Sequence, residues 1–219
     1  MRPLVIAIDG PSGAGKGTVS RAVARTLGYR HIDTGAMYRA VGWKAHHDGI
    51  SLDDEQAVAD LARRADLTVE GGVVTIDGHD VTSAIRTPEV DKIASAVARL
   101  ERVREVLVSR QRALGDQGGI VMEGRDIGSV VFPNADVKIY LDASAEERAR
   151  RRAHDAAHAG SQAGQAAVAA AIQARDLSDT TRSASPLALA PGAVHIDTTD
   201  MPIDAVVDRV LAMVRAQLR

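Results

Sequence analysis

Short apolar runs alternate along this chain with stretches whose apolar residues recur every three or four positions. Leu4–Ile8 is continuous and rich in β-branched residues, which predicts a buried strand. Val19, Val23 and Leu27 then share one face of a helix over Lys16–Leu27, closed by Gly28. Tyr29–Asp33 predicts a second short strand, and Thr34 is placed to cap a helix running to about Asp48, with Asp33 the alternative cap. Ser51 is placed to cap the next, with Val58, Leu61 and Ala65 on one face. The pattern then changes. Leu67–Glu70, Val73–Ile76 and His79–Thr82, separated by Gly71-Gly72 and Asp77-Gly78, predict short antiparallel strands joined by tight turns. Thr87-Pro88-Glu89 opens another helix with proline in its first turn. Leu100, Val103, Leu107 and Leu114 trace a long amphipathic helix that stops at Gly115.

Ile120–Met122 and Val137–Leu141 are strand candidates. Helices are expected over about Ser144–His158 and Ser161–Arg175, the second rich in alanine. A Ser/Pro/Ala stretch then leads to a last strand, Ala193–Ile196, and a closing helix from near Pro202. Five short apolar strands alternating with helices predict an α/β fold around a parallel sheet. The link from Asp33 to Ile120 is far longer than a crossover requires, so it is expected to hold an inserted subdomain with the hairpins at its tip.

Composition narrows the chemistry. The 219 residues carry a formal net charge of −2, which argues against a protein that neutralises a long nucleic-acid backbone. With aromatics at 2%, little is left for stacking on single strands. No cysteine is present, so disulfides, thiolate metal sites and a cysteine nucleophile are excluded. No apolar run approaches the ~20 residues of a membrane helix, and a soluble cytoplasmic protein, monomeric for want of a long apolar seam, is expected. The 23 Arg against 4 Lys suit an Arg- and Ala-rich coding bias, with a minority placed where planar, permanently charged forks are needed.

That minority begins beside a phosphate cradle. Gly10, Pro11, Ser12, Gly13, Ala14, Gly15, Lys16, Gly17 and Thr18 follow the first strand and open a helix, matching G-x-x-x-x-G-K in the context it requires. Glycines let backbone N–H groups turn in on phosphate oxygens, and the helix N-terminus adds its positive end. Lys16 supplies a point charge for the β/γ-phosphates, and Thr18 a hydroxyl for the magnesium shell. Gly17 stands where Ser or Thr more often follows the lysine, a variant typical of nucleoside monophosphate kinases. A regulatory GTPase would need N-K-x-D; the single asparagine, Asn134, is followed by Ala135 and Asp136, so that element is absent.

Further clusters lie at Asp33–Arg39, Arg99–Arg104, Glu123–Gly128 and Arg175–Arg182. The first and third end strands, the edge where such sheets bind ligands. With Ile8–Thr18 and Val137–Ser144, Asp33–Arg39 and Glu123–Gly128 make the chain resemble the bacterial cytidylate kinases, from the first strand to the final helix. The resemblance implies transfer of a phosphoryl group from ATP to CMP or dCMP with Mg²⁺. It also implies a five-stranded P-loop core (about 1–38, 115–148 and 183–219), an acceptor-binding insertion with a small antiparallel sheet (about 39–114) and a short helical lid (about 149–182). By the same resemblance Arg39, Arg125 and Arg182 clamp the acceptor phosphate, and Ser95, Arg104 and Asp126 read cytosine. Asp179, helped by Arg175, meets the ribose, while Thr34 and Tyr38 line the acceptor pocket. Arg151 and Arg152 open the lid and grip the transferring group. Read from its position instead, Glu123 ends an apolar strand as a magnesium-side acid acting through water would, the plainer alternative being a solvated strand end.

The chemistry fits those assignments: a carboxylate at Asp126 accepts from the cytosine amino group and meets the uracil carbonyl unfavourably. Plainer roles are expected elsewhere. Arg148 and Arg150 read as a solvated helix face, His46, His47, His154 and His158 as surface residues, and Met37 and Trp43 as core. A kinase for a sugar or shikimate-like acceptor is the rival on the same core, and a non-enzymatic nucleotide-binding regulator is a third reading.

Overall fold

The computed structural model describes residues 2–154 and 165–218. Its central sheet is built from β1 (Val5–Asp9), β2 (Arg30–Asp33), β6 (Ile120–Gly124), β7 (Val137–Asp142) and β8 (Val194–Asp197), in the order β2-β6-β1-β7-β8. Every pairing in it is parallel. The apolar runs become strands because both faces are covered. Ile6 and Ile8 point into a core shared with Val19 and Val23 of α1 (Lys16–Leu27) and Val206 and Val210 of α8 (Ile203–Gln217). Ala7, between them, points to the other face, among Ile32, Met122 and Ile127.

The long link between β2 and β6 holds α2 (Thr34–His47), α3 (Glu55–Arg64), a three-stranded antiparallel sheet, α4 (Pro88–Val97) and α5 (Glu101–Gly115). The sheet consists of β3 (Leu67–Glu70), β4 (Val73–Ile76) and β5 (His79–Asp80), so the third predicted strand is only two residues long. Met37, Val41, Val58, Val103 and Leu107 give these helices a core of their own. Trp43 packs on the sheet side of that insertion and stacks on His47.

The structure decides between the two candidate caps of α2 and corrects that of α3. The carboxylate of Asp33, not the hydroxyl of Thr34, accepts from the Ala36 N–H at the start of α2, 3.1 Å away. Asp54, not Ser51, caps α3 through the Ala57 N–H. In both cases a carboxylate three residues ahead of an N–H completes the ring that caps a first turn. Residues 155–164, on which the end of one expected helix and the start of the next fall together with His158, lie outside the described residues. On either side stand α6 (Ala145–Ala153) and α7 (Gln165–Thr181), the latter continuing six residues past the expected end at Arg175. Among the described residues, no helix is long and apolar enough to cross a membrane.

A π-helical turn, Ile127–Val131, follows β6, and the sequence pattern did not foreshadow it. Its leading N–H groups are taken by Asp9 at the end of β1: Ile127 donates to Oδ1 at 2.8 Å and Gly128 to Oδ2 at 2.7 Å. Burial outweighs those two donors and pushes the Asp9 carboxyl up to about 6. Between pH 3.8 and about 6 the folded chain therefore keeps a proton that the unfolded chain has released. This group's contribution favours the fold at the acid end of that window and is lost as pH rises through it. Asparagine cannot titrate. Wild type is thus expected to lose stability relative to Asp9→Asn as pH rises from 4 to about 6, measured by chemical denaturation at stepped pH; a pH-independent difference contradicts it.

Candidate active site

The phosphate loop is held in shape by its neighbours. Gly10 has φ +146°, and a Cβ there would lie 1.9 Å from the Leu141 carbonyl oxygen, so the turn out of β1 presses directly on β7. Lys16 opens α1, is buried, and donates from Nζ to the Pro11 carbonyl at 2.7 Å. Burial and the neighbouring Arg125 guanidinium hold its ammonium well below the usual lysine range, opposed by Glu123 and Asp33. Arg148, read from sequence as solvated, is buried instead. It donates to the carbonyls of Ser12 (3.2 Å) and Ala143 (2.9 Å) and pairs with Asp176. It therefore ties the loop to α6 and α7. Arg150 is exposed on Glu147, as expected of a helix surface.

A cavity of about 730 Å³ runs from this loop across the carboxyl edge of the sheet. Ser12 to Thr18 line it at one end; Gly10 and Pro11 do not, and serve the loop's shape. The other predicted residues meet in the same space: Thr34, Tyr38, Arg39, Ser95, Arg104, Glu123, Arg125, Asp126, Arg151, Arg152, Arg175, Asp179 and Arg182.

Within it the arginines fall into two groups. Arg39, Arg125 and Arg175 gather near the loop. Arg39 donates from Nε to Asp91 at 2.9 Å and lies 3.9 Å from Asp33. Burial pushes the Asp33 carboxyl up, but Arg39 and His31 outweigh it and hold the group below its ordinary value. Arg125 donates from Nε to Asp179 at 2.7 Å. Burial, Arg125 and Arg39 together push Arg175 down to about 10, a measure of how closely like charges are packed. Arg182 sits apart from this group. It lies 3.7 Å from Asp126, beside Arg104, and donates from Nε to the Ser185 carbonyl at 2.6 Å.

Arg104 and Asp126 form a buried ion pair at the far end, with the Arg104 guanidinium 5.6 Å from the centre of the Tyr38 ring. Burial pushes the Tyr38 hydroxyl up to about 12, so it stays neutral. Ser95 Oγ lies 3.4 Å from Ser178 Oγ, bringing α4 and α7 together there. The Thr34 hydroxyl donates to the Glu123 carbonyl at 2.7 Å, fastening the start of α2 to β6. At the opposite end Arg151 grips Thr198, through Oγ1 at 2.9 Å and the carbonyl at 2.7 Å, with Met201, Pro202 and Ile203 beyond.

Three features of the site escaped the sequence reading. His31 Nε2 lies 2.8 Å from Glu123 Oε1 and fixes that carboxylate. Asp91 receives arginines from several helices. Met201–Ile203 give the phosphate-loop end an apolar wall. Only the last had a sequence signal, its position just past the carboxyl end of the final strand.

A family model described as "Cytidylate kinase" matches residues 6–216. The chain is 49% identical over 213 residues to a cytidylate kinase of Desulfitobacterium hafniense, covering 96% of this chain and 92% of that one. It is 45% identical over 222 residues to the cytidylate kinase of Bacillus subtilis, covering 100% and 99%. Among solved structures it is similar to a gluconokinase from Sinorhizobium meliloti (TM-score 0.53, 17% identity, 99% and 94% coverage). It is also similar to a shikimate kinase from Acinetobacter baumannii (TM-score 0.50, 14% identity, 98% and 94% coverage). Those two likenesses show a fold shared by kinases of different acceptors and do not choose among acceptors. The family model and the full-length relatives do: this chain belongs to the cytidylate kinase family.

Proposed function

We propose that this protein transfers the γ-phosphoryl group of ATP to CMP or dCMP, giving ADP and CDP or dCDP, with Mg²⁺. The observation that carries the reading is the continuous cavity joining the phosphate loop to the Arg104–Asp126 pair through a bank of arginines. A donor triphosphate suits one end, a base bearing an amino group suits the other, and two phosphates meet between them.

The donor phosphates lie against the Ser12–Thr18 backbone and Lys16, with the adenine towards Met201–Ile203. Thr18 and Glu123 fit a hard cation. Both line the cavity, and a Cβ on Gly17 would come 3.4 Å from Glu123 Oε1, so oxygen donors stand beside the loop that holds the phosphates. Magnesium bound there supplies charge neutralisation on the β- and γ-phosphates.

The acceptor phosphate sits between Arg39 and Arg125, with Arg182 on its nucleoside side. Asp179 takes the ribose with Arg175. Asp126 accepts from the cytosine amino group while Arg104 donates to the ring acceptors, with Ser95 alongside. The attacking phosphate oxygen is already largely ionised at neutral pH, since its second pKa is roughly 6. No general base is needed, so what remains for the protein is alignment and stabilisation of charge by Lys16 and the arginines. Arg151 and Arg152, on α6, bring lid charge to the transferring group, and closure of the lid excludes the water that would otherwise hydrolyse ATP. ADP formation from ATP and Mg²⁺, with CMP or dCMP against no acceptor, tests the reading.

A further inference from the structure

The arginines assigned to phosphates come from separate parts of the chain, and like charges in one cavity repel. Asp91 lies on α4, outside every motif that marks the site. Its carboxylate nevertheless receives Arg39 of α2 through Oδ1 at 2.9 Å, Arg175 of α7 through Oδ1 at 3.4 Å, and Arg152 of α6 through Oδ2. Two of the three come from the lid helices and one from the acceptor insertion. Arg39 gives Asp91 its Nε and keeps its Nη pair, one of the two lying 3.9 Å from Asp33, to reach a phosphate. Asp91 lines the cavity without lying where the base, the ribose or the phosphate loop is placed.

We propose that Asp91 is a positioning residue for phosphoryl transfer, an internal anion that fans Arg39, Arg152 and Arg175 towards the phosphates and seats the lid on the acceptor insertion. The proposal rests on the acceptor reading above. A carboxylate behind the guanidinium groups has two opposing effects. It repels an incoming phosphate, and it fixes forks that would otherwise swing apart. Orientation wins, because bidentate capture needs a held fork, and misplacement by about 1 Å can cost two orders of magnitude.

The test compares Asp91→Asn, which removes the charge at constant shape, with Asp91→Glu, which keeps it. Steady-state kinetics in CMP and in ATP are measured for both, with unfolding midpoints. Because the chain has no cysteine, spin labels at Glu70→Cys on β3 and Gln173→Cys on α7 report the distance between insertion and lid. Asp91→Asn is expected to raise KM for CMP by at least about tenfold, with KM for ATP within about threefold, and to lengthen the label distance. Asp91→Glu is expected to restore most of both. A purely structural role would instead lower the folded fraction, and with it the apparent kcat, at unchanged KM. Unchanged or lowered KM for CMP in Asp91→Asn, or an unchanged label distance, overturns the proposal. If wild type fails to phosphorylate CMP at all, the acceptor reading falls, while the label distance still reports on the seat.

Discussion

Replacing Lys16 with alanine is expected to lower kcat for ADP formation by at least about a thousandfold, with the fold intact. The ammonium is buried at the mouth of α1 and is the one lysine lining the cavity. Burial and Arg125 hold its ammonium below the usual lysine range, and an arriving anion favours the protonated form. The β- and γ-phosphates are that anion. The charge that builds on them in transfer is met by a donor already in place, in a site from which water is excluded, where such contacts count most. Loss of the side chain also relieves the desolvation of a buried cation, so the unfolding midpoint should move by only a few degrees. Coupled ADP assays with thermal melts check this. Activity retained within about tenfold would mean that the loop does not serve the transferring phosphates.

Replacing Asp126 with asparagine is expected to lower the CMP-to-UMP ratio of kcat/KM by about tenfold or more, within the 1–3 kcal/mol carried by a paired base contact. Asparagine keeps the shape of Asp126 but presents an amide nitrogen that can donate to the uracil carbonyl, so the gain is shared between losing CMP and admitting UMP. Alanine is the poorer test. Arg104 is buried and pairs with Asp126, and its isolation would cost ~3–5 kcal/mol of stability. A ratio unchanged in Asp126→Asn, with both substrates still turned over, would remove Asp126 from base reading.

The two variants mark out what was legible in the sequence. Lys16 belongs to a contiguous strand–turn–helix motif whose spacing is local, and local spacing is what a sequence displays. The parallel core and the insertion were legible for the same reason: continuous apolar runs, helical periods and glycine-rich hairpins are short-range patterns. Asp91 meets Arg152 and Arg175 across 61 and 84 residues, and Asp9 meets the π-turn across 118. Such pairs exist only once the chain is folded, and nothing around Asp91 distinguishes it from a solvated acid. Arg148 shows the converse. Its helix repeats charge in the manner of a surface, but its guanidinium turns in to carbonyls that only the tertiary fold brings there. The cap of α2 was open between Thr34 and Asp33, and that of α3 was misplaced by three residues, since several capping residue types stood side by side and only the N–H partner decides between them.

The central claim concerns the acceptor, and its most direct test is a screen at fixed ATP and Mg²⁺ in which CMP, dCMP, UMP, AMP, GMP, gluconate and shikimate are offered in turn and ADP is followed. CMP and dCMP are expected to give the highest kcat/KM, with UMP lower by about tenfold or more and the two non-nucleotides at the rate without acceptor. ATP binding with no transfer to any nucleoside monophosphate, or preferred transfer to gluconate or shikimate, would contradict the account.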